Sequence, residues 1–169
     1  NSTVNIVTVE DPVEYTMSGV NQTQVNTKAN MTFATALRSF LRQDPDIIMI
    51  GEIRDSETAG IAVQASITGH LVVSTLHTNS ASSAITRLLD MGVESFLLAD
   101  SVVGIIAQRL VRRLCPHCRK GRPLYDHEAN YLKIPAADRA RQMIFEPAGC
   151  RRCNNVGYYG RIGVYEIME

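Results

Sequence analysis

The 169-residue sequence predicts an α/β fold: a parallel sheet flanked by helices, with a small cysteine-bearing subdomain toward the carboxyl end. Three observations lead there. Short β-branched or apolar runs alternate with helix-period segments over the first two thirds of the chain, an order that implies parallel strands joined by right-handed crossovers. A polar cluster holding acids or a histidine follows each of three successive apolar runs. All four cysteines fall in the last third, as two Cys-x-x-Cys pairs.

Taken in order, Val4–Val9 is a β-branched run that ends at Glu10-Asp11-Pro12, where proline stops a ladder. Residues 14–31 read as a loop with a short hairpin strand near Gln22–Val25. Thr32 caps a helix that places Phe33, Ala36, Leu37, Phe40 and Leu41 on one face, and Asp44-Pro45 ends it. Ile47–Ile50 is a continuous apolar run, as expected of a strand covered on both faces. Asp55 or Ser56 caps a helix to about Thr68, Gly69-His70 turns, and Leu71–Leu76 reads as another buried strand. Helices are expected over 80–91 and 94–107, split by Gly92. Residues 108–114 are a basic and apolar mix. Residues 115–157 are loop-rich with one helix around Asp126–Leu132, and Val164–Met168 reads as a closing strand.

The length fits one ordinary domain, or one domain with a small appendage, and 45% hydrophobic with 20% charged residues is a globular composition. No run of about 18 apolar residues occurs, so no direct membrane insertion is expected, and no signal-peptide pattern opens the chain. Asn1 reads as an internal start. The net charge of zero argues against a generic nucleic-acid coat. It is unevenly spread: residues 1–100 hold 5 basic and 11 acidic side chains, and residues 101–169 hold 12 and 6. The split suggests two regions with different tasks, although a basic tail can equally be a solvated face.

In open parallel sheets, ligands bind beyond the carboxyl ends of the strands. Glu10, Asp11 and Glu14 follow the first run, Glu52, Arg54 and Asp55 the second, and His77 the third. Carboxylates at such ends can hold Mg²⁺, directly or through water, or orient an attacking water. Ile47–Ile50 followed by Gly51-Glu52 has the layout of a Walker-B strand. The commoner form carries an acid at the position of Gly51, so metal contact through Glu52 is expected to be indirect. Glu14 is the candidate water-orienting base. Glu10 and Asp11 serve the turn or the metal. His77 is placed to hydrogen-bond a terminal phosphate, and His70 lies at the opposite end of its strand, in a turn or interface role. Arg38, Arg42, Arg54 and Arg87 are four of the five basic residues in the acidic region. They are either solvated charges or a clamp reaching toward a neighbouring subunit's nucleotide.

These residues carry a resemblance. VTVEDPVEY, then TFATALRSFLRQDPDIIMIGEIRDSETAGIAVQASITGHLVVSTLHTN, then TRLLDMGV and AQRLVRRLCPHC closely resemble the assembly ATPases of bacterial type II secretion and type IV pili, over nearly the whole chain. The resemblance implies an Asp box at Glu10–Glu14 with Glu14 as catalytic glutamate, a Walker B at Ile47–Glu52 and a His box around His70–His77. It implies a RecA-like hexameric motor at the cytoplasmic face of the inner membrane, driven by ATP and Mg²⁺. Its expected partners are an inner-membrane platform protein and a cytoplasmic adaptor. Pilus retraction ATPases share these boxes without the paired cysteines, so the cysteines point to the secretion and pilus-extension branch. One departure stands out: no Gly-x-x-x-x-Gly-Lys occurs in these residues. That loop supplies the phosphate cradle. The RecA-like core is therefore expected to be incomplete on its amino-terminal side, with little ATPase activity of its own.

Cys115, Cys118, Cys150 and Cys153 form two knuckles separated by 31 residues, which suits a closed tetrahedral Zn²⁺ site of structural role. Arg112, Arg113, Arg119, Lys120, Arg122, Arg151 and Arg152 flank it and keep a nucleic-acid reading open, weakened by the scarcity of aromatics. The expected division is 1–113 for the ATPase part, 114–157 for the zinc subdomain and 158–169 for a segment returning to the core. Two rival functions stand beside the secretion motor. One is a RecA-like DNA translocase, the other a zinc-bearing interaction module with a vestigial nucleotide site.

Overall fold

The computed structural model describes residues 3–169; Asn1, read above as an internal start, lies outside the described residues. Two compact units are seen. The first runs up to Ala107 and includes Glu166–Glu169, and the second is Gln108–Tyr165.

The first unit is built on four parallel strands, β1 (Ile6–Glu10), β2 (Asn21–Gln24), β3 (Ile47–Ile50) and β4 (Leu71–Ser74), in the order β2-β1-β3-β4. Helices α1 (Phe33–Phe40), α2 (Ser56–Ile67), α3 (Ala81–Asp90) and α4 (Ser95–Ser101) complete it. The register pairs Val7 with Ile48 and Ile48 with Val72, so one face collects Val7, Val9, Ile48 and Ile50, all fully buried. Against that face pack Leu37 and Phe40 of α1 and Ala59, Ala62 and Val63 of α2. Burying each large aliphatic side chain of this set contributes roughly 1.5–3 kcal/mol. Each of the three longer helices starts on a side-chain cap. Thr32, Asp55 and Ser80 accept from the backbone N–H of Thr35, Thr58 and Ser83.

Several expectations are corrected. The strand near Gln22–Val25 is present as β2, but it pairs parallel with β1, not as a hairpin. Residues 11–20 make a crossover long enough to return the chain to the same end of the sheet. β4 is not a buried strand. It ends at Ser74 and is an edge, and Leu71 and Val73 are 49% and 48% exposed because alternate residues point away from the helix-covered face. On β3, Ile47 and Met49 are likewise only half-buried. The helix expected over 94–107 stops at Ser101, where Val102-Val103-Gly104 turns the backbone extended. Residues 105–107 begin β5 (Ile105–Leu114), so the basic and apolar mix is strand.

β5 pairs with β8 (Tyr158–Met168), of which the expected closing strand is the last part. The second unit also holds α5 (Asp126–Tyr131), as expected, and the short α6 (Ala136–Arg139). Within the stretch read as loop, β6 (Lys120–Pro123) and β7 (Met143–Glu146) form an antiparallel pair. Lys-Gly-Arg-Pro has no strand signature of its own. Tertiary contacts of Arg122 hold it in place.

Candidate functional site

β1, β3 and β4 lie side by side and parallel, so the loops leaving them share one edge of the sheet. Short bonds staple these loops together. Gly51 N–H donates to Val9 O (2.8 Å), Thr75 Oγ1 to Gly51 O (2.6 Å), Ser74 Oγ to Ile50 O (2.9 Å) and Ile53 N–H to Thr75 O (3.1 Å). Gly51 is explained by this crowding. A Cβ there would meet Glu10 Cα and Val9 O at 3.3 Å, so an acid at this position would press on the backbone of β1.

The next residue, Glu52, is a buried carboxylate, 9% exposed. Both of its oxygens are engaged. Oε1 pairs with Arg54 Nη2, and Oε2 lies 3.2 Å from His77 Nε2. A carboxylate only accepts, so Nε2 carries the proton in this contact. The hydrogen bond from Arg54 holds the Glu52 carboxyl below the usual range against the opposing effect of burial, and His77 adds to it. The Arg54 guanidinium is pushed up chiefly by Glu52 and more weakly by Asp11, which brings the loop after β1 into the same charge cluster.

Glu10 is tied differently. Its Oε1 accepts from Thr8 Oγ1 (2.6 Å) and from Gln22 Nε2 (2.9 Å). Gln22 also donates to Tyr15 O and accepts from Met17 N–H, while Gln24 Oε1 accepts from Val13 N–H. These two glutamines of β2 therefore shape the loop that carries Glu14. Sequence reasoning missed them, and their signal was two glutamines at strand spacing. Glu14 itself is exposed in that loop.

Arg38 bridges α1 to α2 through Glu57 (2.7 Å), an exposed pair worth roughly 0–1 kcal/mol. Arg42 and Arg87 are exposed. His70 closes the turn before β4, its Nδ1 2.9 Å from Ala65 O, at the far end of that strand from His77.

In the second unit the four cysteines converge. Their sulfurs all lie within 4.8 Å of one another, with Cys118–Cys153 and Cys150–Cys153 at 3.8 Å and Cys115–Cys150 at 4.0 Å. A tetrahedral zinc with Zn–S of about 2.3 Å requires sulfur–sulfur edges of about 3.8 Å, whereas a disulfide would draw a pair to about 2 Å. The donor set and spacing therefore fit a tetrathiolate metal. The N–H groups of Cys150 and Gly157 donate to Cys153 Sγ, each at 3.2 Å. Burial opposes ionisation of Cys153, yet these donors and the neighbouring thiols bring it down to about 6; burial pushes Cys118 up to about 11. Gly157 makes the approach possible, with φ +79° and a Cβ position only 2.5 Å from Pro147 Cβ.

The family model for Type II/IV secretion system proteins matches residues 1–169. The type II secretion system protein E of Aeromonas hydrophila is 58% identical over 164 residues, 97% of this chain and 32% of that protein. The type II secretion system ATPase E of Vibrio cholerae is 53% identical over 165 residues, again 97% and 32%. The chain thus spans about a third of the length of the curated relatives it matches. Among solved structures, the pilus retraction motor PilT with bound ADP superposes with a TM-score of 0.65 at 32% identity, covering 98% of this chain and 38% of that one.

Proposed function

Because this chain belongs to the Type II/IV secretion system protein family, we propose that it is the carboxyl-terminal part of a hexameric ATPase that drives type II secretion. The relatives named as type II secretion proteins favour that branch over pilus extension. The observation that carries the reading is Glu52, a buried acid bridged to His77 and Arg54 at the shared edge of three parallel strands.

In this reading bound Mg²⁺ and ATP supply the polarised γ-phosphate. The hard oxygen donors Glu10, Asp11 and Glu52 fit such a cation. With both Glu52 oxygens engaged, that acid acts through water. Glu14 orients the attacking water, and His77 couples Glu52 to the loop before α3, where a terminal phosphate would be sensed. Arg38, Arg42 and Arg87 are the candidates for contacts with a neighbouring copy, whereas Arg54 is engaged by Glu52 of its own chain. The four cysteines hold a structural Zn²⁺. The first unit serves as the ATPase part; the second, Gln108–Tyr165, contains the expected zinc subdomain 114–157, and of the expected returning segment 158–169 only Glu166–Glu169 belong to the first unit. The partners are an inner-membrane platform protein and a cytoplasmic adaptor, with the protein peripheral on the cytoplasmic face. Among the described residues no helix is long and apolar enough to cross a membrane.

The test is ATP hydrolysis by the full-length protein with and without Glu14→Gln. Loss of a positioned base lowers kcat by about 100-fold or more. A Glu14→Gln variant as active as the wild type removes Glu14 from this role, and a wild type without activity removes the motor.

A further inference from the structure

Glu52 and Arg54 stand in an arrangement that a subunit-interface role for Arg54 does not explain. Arg54 is 62% exposed at its side chain, yet its guanidinium turns inward onto Oε1 of a carboxylate that is only 12% exposed. His77 holds the other oxygen, at 3.2 Å. The charged groups around the carboxylate come from three loops: Arg54 from its own, His77 from the loop after β4, and Asp11, acting on Arg54, from the loop after β1. A buried carboxylate without a partner is costly, and here Arg54 supplies the cation against Oε1. Each carboxylate oxygen keeps a second lone pair, but the guanidinium against Oε1 disfavours a second cation there by like-charge repulsion and by crowding its approach.

We propose that Arg54 is a positioning residue of its own chain: by occupying Oε1 while His77 occupies Oε2, it keeps Glu52 from ligating the nucleotide's metal directly and fixes it as an outer-sphere acid. This rests on the ATPase reading above. It goes beyond it by giving one arginine a task inside the subunit. The staples that fix Gly51 and Ile53 to Val9 and Thr75 leave the backbone of Glu52 little room to move. The choice between a direct and a water-mediated contact thus falls to the Arg54 side chain.

The experiment uses the full-length protein. Mn²⁺ binding in the presence of a non-hydrolysable ATP analogue is followed by electron paramagnetic resonance, beside steady-state kinetics with Mg²⁺. Arg54→Ala is expected to bind Mn²⁺ about tenfold more tightly, because Oε1 is released to the metal, while kcat falls about 10- to 100-fold. Its KM for ATP should stay near the wild-type value. Arg54→Lys, which restores a charged donor, should return both Mn²⁺ affinity and kcat toward wild type. Should Arg54→Ala fail to fold, Arg54→Gln carries the same expectation. Unchanged Mn²⁺ affinity in the variant overturns the proposal. Weakened Mn²⁺ affinity with a raised KM also overturns it, in favour of a direct contact between Arg54 and phosphate. A wild type that shows no nucleotide-dependent Mn²⁺ binding overturns the ATPase reading itself, a result distinct from either.

Discussion

Arg122 shows how a residue outside any recognisable pattern can organise its surroundings. Its guanidinium makes two bonds to Glu128 (Nη1–Oε2 2.8 Å, Nη2–Oε1 2.5 Å), one to Glu146 (2.6 Å) and one to Pro123 O (3.0 Å), and lies 4.2 Å above the Tyr125 ring. Glu128 also accepts from Tyr125 N–H and so caps α5. One side chain thus ties β6, β7 and α5 together. The hydrogen bonds from Arg122, then that from Tyr125 N–H, draw Glu128 down to about 2. A carboxylate whose folded pKa is depressed stabilises the fold above its unfolded value of about 4.3, and that contribution is lost as the pH falls through the folded value. Replacing Glu128 by Gln is therefore expected to lower the melting temperature by a few degrees at pH 7. The gap between wild type and variant should narrow steadily from about pH 4.3 toward pH 2. Thermal denaturation of the two proteins across that range decides it, and a gap that stays constant with pH would mean the pair contributes nothing through ionisation.

At the scale of elements, capping is where local chemistry and packing meet. Asp55 starts α2. Its Oδ1 accepts from Thr58 N–H (2.8 Å) and its Oδ2 from Thr58 Oγ1 (2.9 Å), and Thr58 is 1% exposed. Asp55→Ala removes the cap and strands a buried hydroxyl, a loss of about 1–2 kcal/mol. Urea denaturation should show a lower midpoint at unchanged slope, and an unchanged midpoint refutes the cap's importance. Caps of this kind are written in short stretches of chain, which is why the starts of α1, α2 and α3 were legible. The β-branched runs of β1 and β3 were legible for the same reason. What escaped was decided elsewhere. The parallel pairing of β2 depends on its crossover, the exposure of Leu71 and Val73 depends on which sheet face the helices cover, and β6 depends on Arg122. The candidate site divides along the same line. Glu52 and His77 could be found because strand ends announce them, and the structure brings them into contact. Gln22 and Gln24 act only through a loop folded back on them, and the inward turn of Arg54 is invisible without coordinates.

For the molecule as a whole, the contrast between the two units sets the last prediction. The first unit contains nearly all of the buried hydrophobic residues. The second, residues 108–165, buries only Cys115, Ala129 and Cys153 among its apolar side chains. It also carries 12 basic against 4 acidic residues, so its own charges oppose compaction. A unit of this size with so little apolar burial needs another source of stability. The four clustered sulfurs would provide one on binding zinc, since a structural zinc contributes about 10–16 kcal/mol that appears as folding energy. Elemental analysis of protein purified without chelators is expected to find one zinc per chain. Stripping it with a strong chelator, or replacing Cys115 by Ser, should open residues 108–165 to limited proteolysis. The parallel-sheet unit, whose core of Val7, Val9, Ile48 and Ile50 owes nothing to the metal, should survive as a protected fragment. Mass spectrometry of the cleavage products locates the cuts. Protection of the second unit after the metal has gone would show that Arg122 and the two strand pairs hold it unaided, and would reduce the cysteines to a redundant clasp.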